Sequence, residues 1–599
     1  MRGNKCRPRA LCGLTMLVFG GISSYDPGMI DTFLKLFNLL TRKQKREFYL
    51  LQVVMVMASI AELISTVSIM PFIALAANPD VVQSNQYISQ VYALMGSPSH
   101  ELFLFYAGAG FVALVMFSNG LMLADHFLLS RYSARLGGEI SNKLYGYYLD
   151  KDVLFHSATN SATLIQRVMR DSVMMGTSLI APALKLNARL FSILLLSALI
   201  VWVDPMVAIA TVVILGSVYW FIFYIIRGKV YRNGKKISEL GQKRNRLLNE
   251  SFGGVRDMKL YSFEPTYLRD YSAATKSFNR ATADNMILGD SPSYIVETAV
   301  FTGMVLLTLY LYESGGGLQS ALPMLTLYGM AGMKMVPKLQ QSYLAITRIR
   351  GAQAAFYRLY EDLKAATGRK AFGEDAIEPL RPASSIELRD ITFGYRDDLL
   401  PVFEGYSAHF KVGEMTAVVG ASGAGKSTLL DILMGLVEPE HGGIYIDGER
   451  VSSELLAAWR ATIGYVPQEV YLTDTSPAAN IAFGVKAEDI DMDRVVEAAK
   501  AAKIHNFIES LPGQYQAAIG ERGAQFSGGQ KQRVGLARAF YRQVSVLILD
   551  EATSALDSAT QADILVSLKN VESEQTVIMV THRAETVEFA DQIIRVGSE

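Results

Sequence analysis

Two short segments of the chain carry residue types that can manage phosphate. The first is Gly420-Ala421-Ser422-Gly423-Ala424-Gly425-Lys426-Ser427-Thr428, preceded by the apolar run MTAVVG and followed by the helix-like LLDILMGL. Glycines at this spacing let backbone N–H groups turn inward around an anion, and a helix starting at the loop adds the positive end of its dipole. Lys426 then reaches the β and γ phosphates of a nucleotide, and the Ser427 hydroxyl serves Mg2+. The second segment is Val546-Leu-Ile-Leu549-Asp550-Glu551, an apolar strand ending in two carboxylates. A buried strand has little reason to end that way unless the acids work: Asp550 is placed to hold the metal shell, and Glu551 to polarise an attacking water. A Gly-rich turn or a solvated strand end explains either segment alone. Together, with a strand before the loop and a complete Gly-Lys-Ser ending, they point to phosphoryl transfer.

Such residues need a rigid frame. From about Ile386, short β-rich runs (MTAVVG, IGYVPQ, VLILDE, TVIMVTH) alternate with helical stretches, the rhythm of an α/β domain with a largely parallel sheet. We assign 386–599 to this domain. A polar linker, GRKAFGEDAIEPLRPASS, precedes it over 367–385.

The remaining half is of another kind. The 599 residues are 50% hydrophobic and 19% charged, with 57 basic and 57 acidic side chains and a mean hydropathy of +0.22. Disordered chains are poorer in apolar residues, and nucleic-acid binders normally carry a basic excess, so no nucleic-acid partner is expected. Soluble proteins average about 25% charged residues, so part of this chain belongs in a bilayer. Cys6 and Cys12 both lie in the first dozen residues, too few and too local for a disulfide framework.

Lys and Arg are absent between Arg46 and Arg131, between Arg189 and Arg227, and between Arg280 and Lys334. A spanning helix needs about 20 mostly apolar residues. The gaps therefore hold six spans in three hairpins: 48–77 and 102–129, 174–203 and 206–226, 291–312 and 321–342. Basic residues crowd the lead-in and the segments 131–189 and 227–280, which places these on the cytoplasmic side. Both long segments read as helix, so the spans should continue well past the membrane, and 48–366 forms one transmembrane domain. Residues 1–47 are a cytoplasmic lead-in. Within it, the amphipathic MIDTFLKLFNLLTRKQKREF opens at Met29, which we read as the start of translation, with 1–28 a misassigned extension.

Between the two phosphate-handling segments lies Phe526-Ser527-Gly528-Gly529-Gln530, and here the chain closely resembles the ATP-binding cassette (ABC) transporters, whose signature is Leu-Ser-Gly-Gly-Gln. Phe526 stands where Leu is usual, at an apolar packing position. The resemblance extends in order over about 190 residues. It implies that Tyr395 stacks on adenine, that Gln468 is the switch-like glutamine and a Mg2+ ligand, that Asp557 follows the carboxylates, and that His582 contacts the γ-phosphate. Gly520-Glu521-Arg522-Gly523, and Glu250, Gly254, Lys259 and Glu264, resemble the elements that couple nucleotide domain to membrane domain in the family's exporters.

The resemblance implies a type I ABC exporter fold, a six-helix transmembrane bundle followed by an α/β P-loop ATPase domain, with ATP and Mg2+ as cofactors. One chain holds one phosphate loop and one signature, which in this family work across two copies, so a homodimer in a bacterial inner membrane is implied. Glu62-Leu-Ile-Ser-Thr-Val-Ser-Ile-Met70-Pro71-Phe72 and NQYISQVYALMG resemble exporters that flip lipid-linked oligosaccharides. A pyrophosphate-linked substrate wants cations facing a cavity, and Lys334 and Lys338, one helical turn apart, are the candidates; Glu62, Asn119, Asp125 and Glu297 are the other polar groups at membrane depth, and Glu62 is counted with the lysines as a cavity candidate. The second and fifth spans offer no Lys or Arg. A peptide or hydrophobic-drug exporter would share every nucleotide motif and stays open as the alternative.

Overall fold

The computed structural model describes residues 29–77, 82, 86–203, 205–313, 317–366, 377–395, 400–520, 523–552, 558–570 and 575–597. The segment 1–28 and Asp557 therefore lie outside the described residues, as do Glu521 and Arg522. The chain divides into two units. One takes residues up to Asp150 together with Ser161–Ala371, and the other takes Lys151–Asn160 together with Phe372–Glu599.

The first unit is helical. Helix α1 (Met29–Leu39) leads into α2 (Arg42–Val67), whose start is fixed by a capping box: the Thr41 hydroxyl accepts from the Gln44 N–H at 3.3 Å and the Gln44 side chain accepts from the Thr41 N–H at 2.7 Å. After a break at Ser68 the helix resumes as α3 (Ile69–Ala77). The sequence reading had one uninterrupted span here. The hydroxyls of Ser65 and Thr66 both donate to the Glu62 carbonyl (2.9 and 2.7 Å), Ser68 donates to Ser65, and Pro71 has no N–H to return to Val67. Competing side-chain donors and a missing backbone donor weaken the ladder where it breaks.

A short helix, α4 (Gln86–Leu94), precedes α5 (His100–Leu149), and α6 (Val153–Ala158) lies in the stretch that groups with the second unit. Ser161–Val203 is a continuous helix, α7, with two π segments at Arg167–Asp171 and Met175–Ile180. The π turns sit where α5 and α7 come close. A Cβ on Gly176 would collide with the Ser133 carbonyl oxygen, and one on Gly137 would lie 3.2 Å from Val173 Cα. In addition, the Ser141 hydroxyl of α5 donates to the Val168 carbonyl at 2.8 Å, inside the first π segment.

Three more long helices follow: α8 (Pro205–Gly253), α10 (Glu264–Glu313) and α11 (Gly317–Ala366), with the short α9 (Val255–Leu260) between the first two. Among the described residues, Arg42–Ala77, His100–Leu149 and Ser161–Val203 are long and apolar enough to cross a membrane. The fourth, fifth and sixth expected spans fall inside α8, α10 and α11. All four of the helices α5, α8, α10 and α11 run to 49 or 50 residues, far beyond the ~20 a bilayer needs. The polar ends of α5 and α11 are tied together through α7. Asp362 accepts from Tyr148 (2.6 Å) and Arg167 (2.9 Å), and buried Asp171 pairs with Arg358 at 3.3 Å.

The second unit holds two sheets. An antiparallel sheet has the order β2-β1-β4-β5, from β1 (Ser385–Phe393), β2 (Phe403–Lys411), β4 (His441–Ile446) and β5 (Glu449–Arg450). A parallel sheet has the order β6-β7-β8-β3-β9, from β3 (Met415–Val419), β6 (Ile463–Val466), β7 (Val546–Asp550), β8 (Thr576–Val580) and β9 (Gln592–Arg595). The apolar runs seen in the sequence are the strands of this sheet, buried on both faces. One side packs Ala417, Leu547, Leu549, Val577 and Met579 against the helices around Val534. The other packs Val418, Ile548 and Ile578 against Leu429, Phe410 and Trp459.

Candidate functional site

Strands β6, β7, β8 and β3 are consecutive neighbours and parallel, so their carboxyl ends line one edge of the sheet. That edge receives the phosphate loop, the carboxylate pair, the switch-like glutamine and the histidine. Gln468 follows β6, Asp550 and Glu551 close β7, His582 follows β8, and the loop Gly420–Gly425 follows β3 and opens helix α12 (Lys426–Leu433). Parallel sheets bind ligands at this edge because the strand ends and helix starts leave loops and N–H groups pointing into one crevice.

The phosphate loop is backbone-built. Gly425 has φ of +95°, and a Cβ there would approach Val402 Cγ1 to 2.6 Å, so no other residue fits the turn into α12. Gly420 lies so close to the Val596 carbonyl oxygen that a Cβ would overlap it. Lys426, 7% exposed, folds back to donate from Nζ to the Gly420 and Ala421 carbonyls, each at 2.9 Å. An ammonium has three donors, so one remains after this pair. Ser422, Gly423 and Ala424 form the turn of the loop, with Ser427 and Thr428 on the first turn of the helix. Thr428 shares a 2.8 Å hydrogen bond with the Tyr395 hydroxyl, while the Tyr395 ring packs edge-on against Phe393 and stays half exposed.

Glu551 sits at φ +48°, a left-handed conformation uncommon for a carboxylate residue, with its N–H held by the Val580 carbonyl at 3.1 Å. Its two oxygens meet two partners: Gln468 Nε2 at 2.8 Å and His582 Nε2 at 2.9 Å. The sequence reading gave these three residues separate parts; the fold makes them one hydrogen-bonded group. Asp550 is part-buried, and burial first, then the charge of Glu551, pushes its carboxyl up, with Lys426 opposing. Asp431, on α12, is raised by burial and by Asp550, and Tyr465 brings its hydroxyl to 3.5 Å from Asp550. Asp431 and Tyr465 escaped the sequence reading because they lie in apolar elements: Tyr465 is brought to the site by the register of β6 on β7, and Asp431 by the packing of α12 against the sheet.

The fit to Mg2+ follows from the donors. Ser427 hydroxyl, Asp550 carboxylate and Gln468 amide are all oxygen ligands, the set a hard divalent cation takes, and the crowded carboxylates favour a positive partner. The fit to a nucleotide triphosphate follows from the glycine-built cradle and Lys426.

The signature opens helix α13 (Gly528–Arg542). Ser527 and Gln530 form a capping box: the Ser527 N–H donates to the Gln530 side chain at 2.7 Å and the Gln530 N–H to the Ser527 hydroxyl at 3.3 Å. Gly528 and Gly529 occupy the first helical turn. Within this chain Ser527 and Gln530 thus bond each other rather than the phosphate loop. Phe526 is buried and packs edge-on against Phe507 with ring centres 5.2 Å apart, which accounts for an aromatic at the leucine position. Gln532, two residues past the signature and also missed from sequence, is buried and reaches the backbone carbonyls of Gln468 and Glu551 at 3.4 and 3.5 Å. It joins the signature helix to the Gln468–Glu551–His582 group.

In the helical unit, Glu62, Lys334 and Lys338 come together. Lys338 Nζ pairs with Glu62 Oε2, and Lys334 Nζ lies 3.4 Å from the Ser65 hydroxyl. Both members of the pair are largely buried, so Lys338 faces a carboxylate instead of an open cavity. Lys185 and Arg189, inside the range of the third span, went unweighed in the sequence; Arg189 donates to the Gln341 carbonyl at 2.9 Å. At the expected coupling segment, Gly254 precedes α9, and Lys259 pairs with Glu264 at 2.9 Å.

An α/β nucleotide unit with this loop, carboxylate pair and signature helix, following long apolar helices, defines a membrane-linked ATPase. Residues 403–554 match the ABC transporter family, and residues 47–312 match the ABC transporter transmembrane region. The chain belongs to the ABC transporters, as a half-transporter with one membrane domain and one ATPase domain. It is 39% identical over 262 residues to ABC transporter B family member 29, chloroplastic, of Arabidopsis thaliana, covering 44% of this chain but only 41% of that protein. It is 28% identical over 461 residues, 76% of each chain, to an ATP-dependent lipid A-core flippase of a Polaromonas species. A solved bacterial Atm1-family ABC exporter with ATP bound superposes with a TM-score of 0.70 at 23% identity, over 93% of this chain and 94% of that one. The fold is accordingly that of a type I ABC exporter, and the protein is a multi-pass membrane protein.

Proposed function

We propose that the protein is an ATP-driven flippase of the bacterial inner membrane that works as a homodimer, with its N-terminus and nucleotide domain in the cytoplasm. The substrate in this reading is an amphipathic lipid carrying a polar headgroup, of the lipid-linked oligosaccharide or related class. The observation that carries the reading is the division of the ATP site. Phosphate loop, Asp550, Glu551, Gln468 and His582 share one sheet edge, whereas Ser527, Gly528, Gly529 and Gln530 close on themselves at the start of α13 and await the nucleotide of a second copy.

In each site the loop Gly420–Gly425, Lys426 and Thr428 bind the phosphates, and Tyr395 offers the face for adenine. Ser427, Gln468 and Asp550 would hold Mg2+, which supplies charge neutralisation of the phosphate oxygens. Glu551 orients and deprotonates the attacking water once Gln468 and His582 turn from it toward the nucleotide. Asp557, six residues after Glu551 in the sequence, contributes as the resemblance implies. The long polar extensions of α5, α8, α10 and α11 carry closure to the bilayer as a rigid-body swing.

Lipid transport is supported by the flippase relative, which the chain matches over three-quarters of its length. Reconstitution in liposomes, with ATP-dependent movement of a lipid-linked oligosaccharide followed beside a peptide and a dye, tests it. Movement of the lipid alone is the expected result. Movement of the peptide or dye without the lipid replaces this reading with that of a peptide or drug exporter.

A further inference from the structure

Two prolines weaken two helices of the membrane unit, and one buried ion pair joins those helices. Pro71 lies at the α2/α3 break. Pro337 lies within α11, one residue before Lys338, and cannot donate to the Met333 carbonyl one turn back. Lys338 Nζ pairs with Glu62 Oε2 across the gap, with side chains 13% and 6% exposed. Around this pair the backbone is loosened further. The Glu62 carbonyl takes two hydroxyl donors, Ser65 and Thr66, and the Lys338 carbonyl takes the Ser342 hydroxyl at 2.7 Å. One turn along α11, Lys334 brings a second cation to 3.4 Å from Ser65, and Arg189 of α7 anchors to Gln341 nearby.

A buried ion pair adds little net stability over well-packed apolar side chains, because desolvating both charges offsets most of their attraction. Its place at two weakened helices therefore calls for a reason other than stability. With Lys334, Lys338 and Arg189 against the single carboxylate of Glu62, the cluster carries two positive charges in excess. An anionic group is what that charge would recruit.

We propose that Glu62 is an internal counter-ion that sets substrate specificity: it holds Lys338 until an anionic headgroup, drawn in by Lys334, takes its place. Exchange of one anion for the other releases α2 from α11 next to Pro71 and Pro337, where each helix lacks a backbone donor, so only a substrate with an anionic headgroup opens the contact. The inference rests on the lipid-flipping reading above and narrows its substrate to phosphate-bearing or otherwise anionic lipids. Glu62 acts through Lys338 and is a positioning residue.

The test uses the full-length protein in vesicles of phosphatidylcholine, alone or with phosphatidic acid as the anionic probe, and reads Mg2+-dependent ATPase. In the parent, phosphatidic acid is expected to stimulate the rate. Glu62→Gln is expected to raise the rate several-fold in phosphatidylcholine alone and to lose the stimulation. Lys338→Gln, which breaks the pair from the other side, should raise it likewise, and the double swap Glu62→Lys with Lys338→Glu should return it to the parent level. A parent indifferent to phosphatidic acid, or a Glu62→Gln protein with the parent's rate and stimulation, overturns the proposal. So does a swap that folds while both single variants do not, since the pair would then be a structural staple. ATP-dependent movement of a fluorescent lipid by the parent is followed separately. If no lipid moves while Glu62→Gln still releases the ATPase, the flippase reading fails and the counter-ion role stands.

Discussion

The two units place their polar groups by different means. In the nucleotide unit, Lys426, Gln468, Asp550, Glu551 and His582 hang from four adjacent parallel strands, so the sheet's backbone hydrogen bonds set their spacing. In the membrane unit, Glu62, Arg189 and Lys338 come from three helices, and what sets their spacing is side-chain packing around kinks and π turns. A sheet-borne site should thus lose chemistry without losing structure when a side chain is changed. A helix-borne one should lose structure first.

The largest effect expected on the sheet side is that of Glu551→Gln. Removing a positioned general base lowers turnover by about 10²–10⁴, while ATP binding and unfolding temperature stay near the parent's. Turnover at the parent rate would remove Glu551 from its role. On the helix side, Gly176→Ala drives a Cβ into the Ser133 carbonyl at the tightest approach of α5 and α7. Overpacking of this kind costs roughly 1–3 kcal/mol, so the unfolding temperature in detergent should fall while nucleotide affinity holds. An unchanged unfolding temperature would mean the two helices are not locked at this point.

A smaller effect separates the two ways of holding a group within the nucleotide unit itself. Ser527→Ala removes one half of the capping box and should cost about 1 kcal/mol of stability, read as an earlier thermal transition, with Ser527→Thr recovering most of it. No shift would show that α13 is held by packing alone.

The smallest effect is one that acid removes. At the β4–β5 turn, burial works to raise the Asp447 carboxyl, but N–H groups of Ser385, Ala383 and Ser384 outweigh it and hold it down at about 2, from an ordinary 3.8. A lowered folded-state value stabilises above the ordinary one and is lost as pH falls through the folded one. The stability of the parent and of Asp447→Asn should therefore differ above pH 3.8 and converge near pH 2. Parallel curves over that window would show that the carboxylate is not tied to the turn.

The same division decides how much was legible in the sequence. The phosphate loop, the carboxylate pair and the signature are each contiguous, because a loop or strand end delivers its residues as a run. The parallel sheet was legible because both of its faces are buried and its strands read as unbroken apolar runs. The long helices showed through the positions of Lys and Arg. Contacts made by tertiary register did not show. Tyr465 reaches Asp550 only through strand pairing and Asp431 only through the packing of α12 on the sheet, and Gln532 looked like any polar residue on a helix. The grouping of Lys151–Asn160 with the second unit had no local mark at all. In the membrane unit, Lys334 and Lys338 were found by helical spacing, but their pairing state depended on Glu62, 272 and 276 positions earlier in the chain.

The π turns of α7 also bear on how this helix tolerates change in length. A π turn takes up one more residue than an α turn while the turns on either side keep their facing. A one-residue deletion within Met175–Ile180 can be absorbed by a return to α geometry, leaving Lys185 and Arg189 aimed as they are. The same deletion a few residues later, in regular helix, would rotate everything beyond it by about 100° and turn Leu196 and Ile200 away from Tyr328 and Met335. The two π segments are thus the places where this helix can lose a residue without re-aiming the rest of the bundle.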